Sequence, residues 1–393
     1  MVSNTIAQKI KGSSWIRKMF EEGERLRATY GVDNVFDFSL GNPNIEPPEH
    51  VKETLKKLAL DNRPGFHRYM SNAGYLDTRT NVSDHIEKKT GIRLGPENIV
   101  MTSGAAGGLN VVLKSILDPS DEVIVFSPYF AEYLSYVDNH SGIPIISPCR
   151  LDTFEPDLDL LEQNLSPKTK AVILNSPNNP TGVIYRKETL EKMASLIASK
   201  EKDYNSQILV ISDEPYSDIL YDGAQLPHIL KIFKNSVIVN SFSKSLAIPG
   251  ERIGYIAINK KIDKADLLAQ AFIYSNRILG FVNAPALFQR VIAESLNASL
   301  DINYYRKRRD LLYNHLIGLG YECNKPQGAF YLFPKALIED DVEFVRRAAD
   351  HNLLLVPGRG FGCPGYFRIA YCVSLQTIER SLPIFEALKK EFK

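Results

Sequence analysis

The sequence predicts an α/β fold in which a mostly parallel, seven-stranded sheet is sandwiched by helices. Three observations carry this. Short, nearly all-apolar runs recur between residues 99 and 258, segments of helix length separate most of them, and small, polar or acidic residues stand directly after the runs. Strands buried on both faces read as continuous apolar runs, and parallel neighbours need crossovers that helices supply. At 393 residues the chain is also longer than one simple core accommodates.

Ahead of the sheet, Ser13 and Ser14 precede Trp15, Ile16, Met19, Phe20 and Leu26, a spacing that predicts an amphipathic helix ending near Gly31. An apolar stretch over 35–40 then runs into Gly41-Asn42-Pro43, a turn signal. Strands are predicted over 99–102, 122–126, 143–147, 171–174, 208–212, 236–240 and 252–258, and helices over 109–117, 130–139 and 187–200. The last strand follows its predecessor after about a dozen residues, too few for a crossover helix, so it is expected to run antiparallel. From residue 262 the chain becomes mainly helical, with a long charged helix over 303–319. A smaller α+β unit follows, with strands over 328–333 and 367–371.

Composition narrows the function. With 44% hydrophobic and 24% charged residues the chain fills large cores, and a net charge of +1 offers no basic footprint for nucleic acid or anionic lipid. Cys149, Cys323, Cys363 and Cys372 are scattered without the C-x-x-C spacing of zinc or thiol-exchange sites. The opening residues reach Lys9 and Lys11 without an apolar export segment, and no run approaches the roughly 18 apolar residues of a membrane span. A cytoplasmic protein without metal, membrane or nucleic-acid partner is expected.

In open parallel sheets, ligands collect beyond the carboxyl ends of the strands, so the residues at those ends are the candidates. Ser103-Gly104-Ala105-Ala106-Gly107-Gly108 opens a helix whose free N–H groups suit an anion, with tight helix–sheet packing as the rival explanation. No Gly-Lys-Ser/Thr follows, which excludes a P-loop. Ser127-Pro128-Tyr129-Phe130 brings an aromatic able to stack on a flat ring. Asn178-Asn179-Pro180-Thr181-Gly182 is a rigid turn, and its proline and glycine do not require Asn179 in particular. Asp213-Glu214-Pro215-Tyr216 puts a carboxylate directly after an apolar strand. Ser241-Phe242-Ser243-Lys244, with Arg252 eight residues on, places an amine among groups that could bind a phosphate, the arrangement a Schiff base with pyridoxal phosphate requires.

Taken together, Asn-Asn-Pro-Thr-Gly at 178–182, Asp-Glu-Pro-Tyr at 213–216, Ser-Phe-Ser-Lys at 241–244, Arg252 and Phe367-Arg368-Ile369-Ala370 resemble the class I/II aminotransferases, fold type I enzymes related to aspartate aminotransferase. The resemblance runs from about Asp37 to about Ala370. It implies a large domain over 46–300 that binds pyridoxal 5′-phosphate, and a smaller α+β domain built from 1–45 and 301–393. It implies that Lys244 forms the Schiff base and shuttles the substrate proton, that Asp213 pairs with the pyridine nitrogen, and that Asn179 and Tyr216 bond the ring's phenolic oxygen. Phosphate would fall to Ser103, Gly104, Ala105, Ser241 and Arg252, with Phe130 stacked on the ring. Arg368 would grip the substrate α-carboxylate in a bidentate fork, and Gly41 would supply substrate-side backbone. Tyr69 matches a tyrosine that reaches the neighbouring subunit's phosphate, which implies a homodimer with shared active sites.

The implied activity is transfer of an amino group from an L-amino acid to a 2-oxo acid such as 2-oxoglutarate, by a ping-pong mechanism through pyridoxamine phosphate. A C–S β-lyase or a decarboxylase on the same fold is the alternative, because the same Lys, Asp and Arg serve these reactions. A non-catalytic ligand sensor is a remote one. The pattern departs from dicarboxylate-specific relatives where Ala105 and Ala106 replace a charge-reading lysine. Arg277, ahead of Val282-Asn283-Ala284-Pro285, is near the place of an arginine that some relatives supply from the partner subunit to read the substrate's second carboxylate, without being clearly in register.

Overall fold

The computed structural model describes residues 1–11 and 15–392. Ser13 and Ser14 lie outside the described residues, and the helix predicted after them runs Trp15–Tyr30. Seven strands form the central sheet: β1 (Ile99–Thr102), β2 (Glu122–Ser127), β3 (Ile143–Pro148), β4 (Thr169–Asn175), β5 (Leu209–Asp213), β6 (Ser236–Ser241) and β7 (Gly254–Ile258). Their order is β1-β7-β6-β5-β4-β2-β3. Strands β2 to β6 pair in parallel, whereas β7 is antiparallel to both β1 and β6. The short link explains this reversal. Between β6 and β7 lie only the one-turn helix Phe242–Ser245 and the 3₁₀ turn Pro249–Glu251, which cannot carry the chain back along the sheet.

Alternation along each strand divides the core into two layers. Val125, Ile173, Ile211, Val239 and Ile256 face one layer, where Leu109 and Val112 of helix Gly104–Ile116 and Phe272 of helix Ala265–Ile278 cover them. On the other face, Ile124, Val172 and Val210 meet Leu190, Met193 and Ile197 of helix Lys187–Tyr204. Ile238 and Ala257 on that face share a cluster with Val82 and Ile86 of helix Leu76–Thr90 and with Val291 and Ile292. At roughly 1.5–3 kcal/mol for each fully buried aliphatic side chain, these layers hold the strand ends, and so the site, in fixed relation.

Helix Gly104–Ile116 starts five residues before the 109–117 expected from the sequence, so its glycines are helical despite their poor propensity. Close approach is the reason: a Cβ on Gly108 would lie 2.7 Å from Val239 Cγ1 of β6. The strand expected over 328–333 shortens to Tyr331–Leu332, because Ala329 at φ 57° turns the chain just before it. Tyr331–Leu332 pairs with Phe367–Ala370, which also pairs with Val356–Pro357, while Phe36–Asp37 lies parallel to Leu353–Leu354. Phe38, Tyr305, Leu312, Phe330, Phe344, Phe367 and Phe385 share a further core, joining the N-terminal segment to the C-terminal elements. Among the described residues no helix is long and apolar enough to cross a membrane, and no group of three or more His, Cys, Asp or Glu could hold a metal ion.

Candidate active site

Strands β2 to β6 present their carboxyl ends to one side, where side chains meet instead of continuing the sheet. The chain leaves β4 at Asn175, β5 at Asp213 and β6 at Ser241. All three border a cavity of about 290 Å³, which Gly41, Ala105, Phe130, Asn179, Tyr216, Lys244, Arg252 and Arg368 also line. Ser103 and Gly104 stand beside it. Ser103 immediately precedes helix Gly104–Ile116, and a Cβ on Gly104 would lie 2.8 Å from Arg252 Nη2. Tyr69 is 89% exposed, so its own chain does not bring it into the cavity.

Asp213 is buried at the end of β5. Its Oδ2 accepts a hydrogen bond from the Tyr133 hydroxyl at 2.5 Å, and its backbone carbonyl accepts one from Asn175 Nδ2 at 2.9 Å. Its Oδ1 is buried without a partner. Burial therefore raises the pKa to about 7, against the opposing pull of the Tyr133 hydroxyl. An orphaned carboxylate oxygen in this position calls for a cationic N–H donor.

Lys244 leaves β6 on the helix Phe242–Ser245 and is half-buried. Its Nζ donates to the Gly41 carbonyl at 2.7 Å and lies 5.7 Å from the centroid of the Phe330 ring. Burial lowers its pKa to about 8. The Cys372 thiol opposes that fall, and the cations Arg252 and Arg368 add to it. An amine so placed changes protonation near neutral pH.

Arg368, on strand Phe367–Ala370, is buried with its guanidinium carbon 4.8 Å from the ring centroids of both Tyr331 and Phe361. Nη1 donates to Asn179 Oδ1 at 3.0 Å and Nη2 to the Ser39 carbonyl at 2.5 Å, while Nε is buried without a partner. These partners are neutral, so the cation can still receive a carboxylate. Asn179 is fixed in turn by Asn175 Oδ1, which accepts its backbone N–H at 2.8 Å.

The Tyr216 and Tyr331 hydroxyls are 2.7 Å apart. Burial raises the pKa of both phenols, that of Tyr331 to about 12. A Cβ on Gly41 would fall on the Tyr331 hydroxyl, so only glycine lets this pair and the Lys244–Gly41 contact coexist. On the opposite side Arg252, at φ 53°, is anchored by donation from Nη1 to the Pro249 carbonyl at 2.9 Å. It stands beside the free N–H groups that open helix Gly104–Ile116, and Ser241 and Ser243 border the same corner, which suits a phosphate.

Asn175, Tyr133, Tyr331 and Glu132 line the cavity without having been sequence candidates. Asn175 directly follows a predicted strand and was findable by the strand-end rule. Tyr133 lies three residues after Phe130, and the two rings meet edge-to-face at 5.5 Å. Tyr331 and Glu132 carry no local signal, since only tertiary packing turns them toward the cavity. Arg277 is exposed on helix Ala265–Ile278, 5.4 Å from the centroid of the Tyr274 ring, and does not line this cavity.

A mostly parallel seven-stranded sheet, with a desolvated amine and an unpaired carboxylate meeting at its strand ends, defines the fold type I class of pyridoxal phosphate enzymes. Within that class, residues 33–383 match the family model for aminotransferase class I and II, and the chain belongs to that family. It is 32% identical over 360 residues to a probable aspartate/prephenate aminotransferase of Thermus aquaticus, covering 90% of this chain and 91% of that one. It is 32% identical over 370 residues to a probable aspartate aminotransferase of Methanocaldococcus jannaschii, covering 91% and 94%. Among solved structures, an aminotransferase from Eubacterium rectale superposes with a TM-score of 0.96 at 39% identity over 100% of both chains. The aspartate aminotransferase of Thermus thermophilus with maleate superposes with a TM-score of 0.88 at 28% identity over 99% of both. The protein is an aminotransferase.

Proposed function

We propose that this aminotransferase binds pyridoxal phosphate in the cavity at the strand ends and moves an amino group from an L-amino acid to a 2-oxo acid in two half-reactions. The family resemblance supports 2-oxoglutarate as a general acceptor. The observation that carries the reading is the orphaned Oδ1 of Asp213, which shares one cavity with the Lys244 amine and the Arg368 guanidinium. When bound, the cofactor supplies an electron sink and carries the amino group between the two substrates.

The donor set fits that group. Asp213 would hold the ring N–H, and Asn179 and Tyr216 the ring's phenolic oxygen. Ser103, Ser241, Arg252 and the amides of Gly104 and Ala105 would hold the phosphate, with Phe130 against the ring. Arg368, kept rigid by Asn179, Ser39 and its two aromatic neighbours, would bind the substrate α-carboxylate. Lys244 Nζ, with its pKa near 8, would take a proton from the substrate α-carbon and return one in the reverse half-reaction. The backbone carbonyl of Gly41 orients that amine. On this reading residues 46–300 form the cofactor-binding domain, residues 1–45 and 301–393 form the smaller one, and Tyr69 acts in the partner's site of a homodimer.

The test is to give the cofactor-loaded protein an amino acid without an acceptor. A transaminase releases one equivalent of 2-oxo acid, stops, and resumes when 2-oxoglutarate or pyruvate is added. Continuous release of ammonia would refute the proposal.

A further inference from the structure

Among the described residues, the cavity contains one charged group that none of these roles uses. Glu132 opens the short helix Glu132–Asp138, two residues after Phe130, and lines the same cavity as Lys244, Asp213 and Arg368. Its Oε2 is buried and has no hydrogen-bond partner. Burial raises its pKa, while its own backbone N–H and, at longer range, Arg368 pull the other way. Arg368 does not satisfy Glu132 directly, since its hydrogen bonds go to Asn179 and Ser39. A buried, unpaired carboxylate oxygen is costly until a donor reaches it.

Among the described residues, the cations that line the cavity are Lys244, Arg252 and Arg368, and the proposed reaction commits them to amine, phosphate and α-carboxylate. Ala105 and Ala106 line it without charge. Among the described residues, the chain's own cavity thus offers a free acceptor to a substrate's far end and no free cation. We propose that Glu132 is a specificity-determining residue that favours substrates whose side chain ends in a hydrogen-bond donor, an amide, ammonium or guanidinium, over those ending in a carboxylate. The inference rests on the reading of Arg368 as the α-carboxylate site. It applies to both half-reactions, so 2-oxoglutarate serves as an acceptor less efficiently than the 2-oxo acid of the same length that ends in an amide, a disadvantage that neutralising Glu132 relieves.

Two inert probes of equal length isolate the effect. Glutarate and its monoamide, glutaramate, each offer one carboxylate to Arg368 and differ only in the far group. In calorimetric titrations of the cofactor-loaded protein, glutaramate is expected to bind at least tenfold more tightly than glutarate. In Glu132→Gln, which keeps the shape and removes the charge, the ratio should fall to within about threefold. The ratio of kcat/KM for glutamine to that for glutamate should fall in parallel. Equal affinities in the unmodified protein, or a ratio unchanged by Glu132→Gln, would overturn the proposal. Failure of every amino donor to yield a 2-oxo acid would instead remove the transaminase reading, and the two binding affinities would still decide the role of Glu132.

Discussion

Replacing Asp213 with asparagine should change how the stability of the cofactor-free protein depends on pH, by an amount its burial sets. Burial lifts this carboxyl from its ordinary 3.8 to about 7. With the folded value above the unfolded one, the unfolded chain gives up the proton first, so stability falls as pH rises between these values and is level beyond them. At 1.36 kcal/mol per unit the full penalty is about 4 kcal/mol, of which roughly 2 has accrued at pH 5. Roughly 2–3 kcal/mol should therefore appear between pH 5 and pH 8. Asparagine carries no such penalty, but its amide NH₂ inherits the unpartnered position, at a pH-independent cost of about 1–3 kcal/mol.

Urea unfolding of both cofactor-free proteins should thus find Asp213→Asn within about 1 kcal/mol of the parent at pH 5 and more stable than it by about 1–3 kcal/mol at pH 8. The relative shift should be roughly 2–3 kcal/mol. Glu214, whose pKa burial also raises to about 7, titrates in both proteins and largely cancels. Adding pyridoxal phosphate should stabilise the parent more than the variant, and transamination by the variant should fall by about 10²–10³-fold. A stability difference that does not move with pH would refute the picture of an uncompensated buried carboxylate.

Three further outcomes follow from the geometry. Arg368→Lys keeps the charge and loses the fork that reaches Asn179 and Ser39 together, so kcat/KM should fall by about 2–4 kcal/mol in steady-state assays, with the visible spectrum of the bound cofactor intact. Gly41→Ala drives a methyl into the Tyr331 hydroxyl, and should cost about 1–3 kcal/mol in denaturant unfolding while breaking the Tyr216–Tyr331 pair. Tyr69→Ala removes an exposed side chain, so the thermal midpoint of the cofactor-free protein should hold while equilibrium dialysis finds weaker binding of cofactor. Unaltered cofactor affinity would remove Tyr69 from a neighbour's site.

Much of this was legible in the sequence because β-strands end where apolar runs end. The runs closing before Asp213 and Ser241 placed a carboxylate and a hydroxyl at the sheet's rim, with Lys244 just beyond, and the brief link to β7 dictated its reversed direction. Less was legible where distant segments supply one another's surroundings. Gly108 is a poor helix former, and it stands in a helix because β6 packs too close there for a side chain. Tyr331 sits on a short strand whose pairing with Phe367–Ala370 aims it at Tyr216, a contact 115 residues apart in the chain. Glu132 gave no sequence signal at all, since a glutamate in a helix's first turn is ordinary on a surface.

The most direct test of the central claim, that Lys244 is the amine that captures the cofactor, is borohydride reduction of the pyridoxal phosphate-loaded protein followed by peptide mass spectrometry. The account predicts one phosphopyridoxyl group per chain, on Lys244, and none in Lys244→Ala. A label on another lysine, or a reduced protein that carries no label, would contradict it.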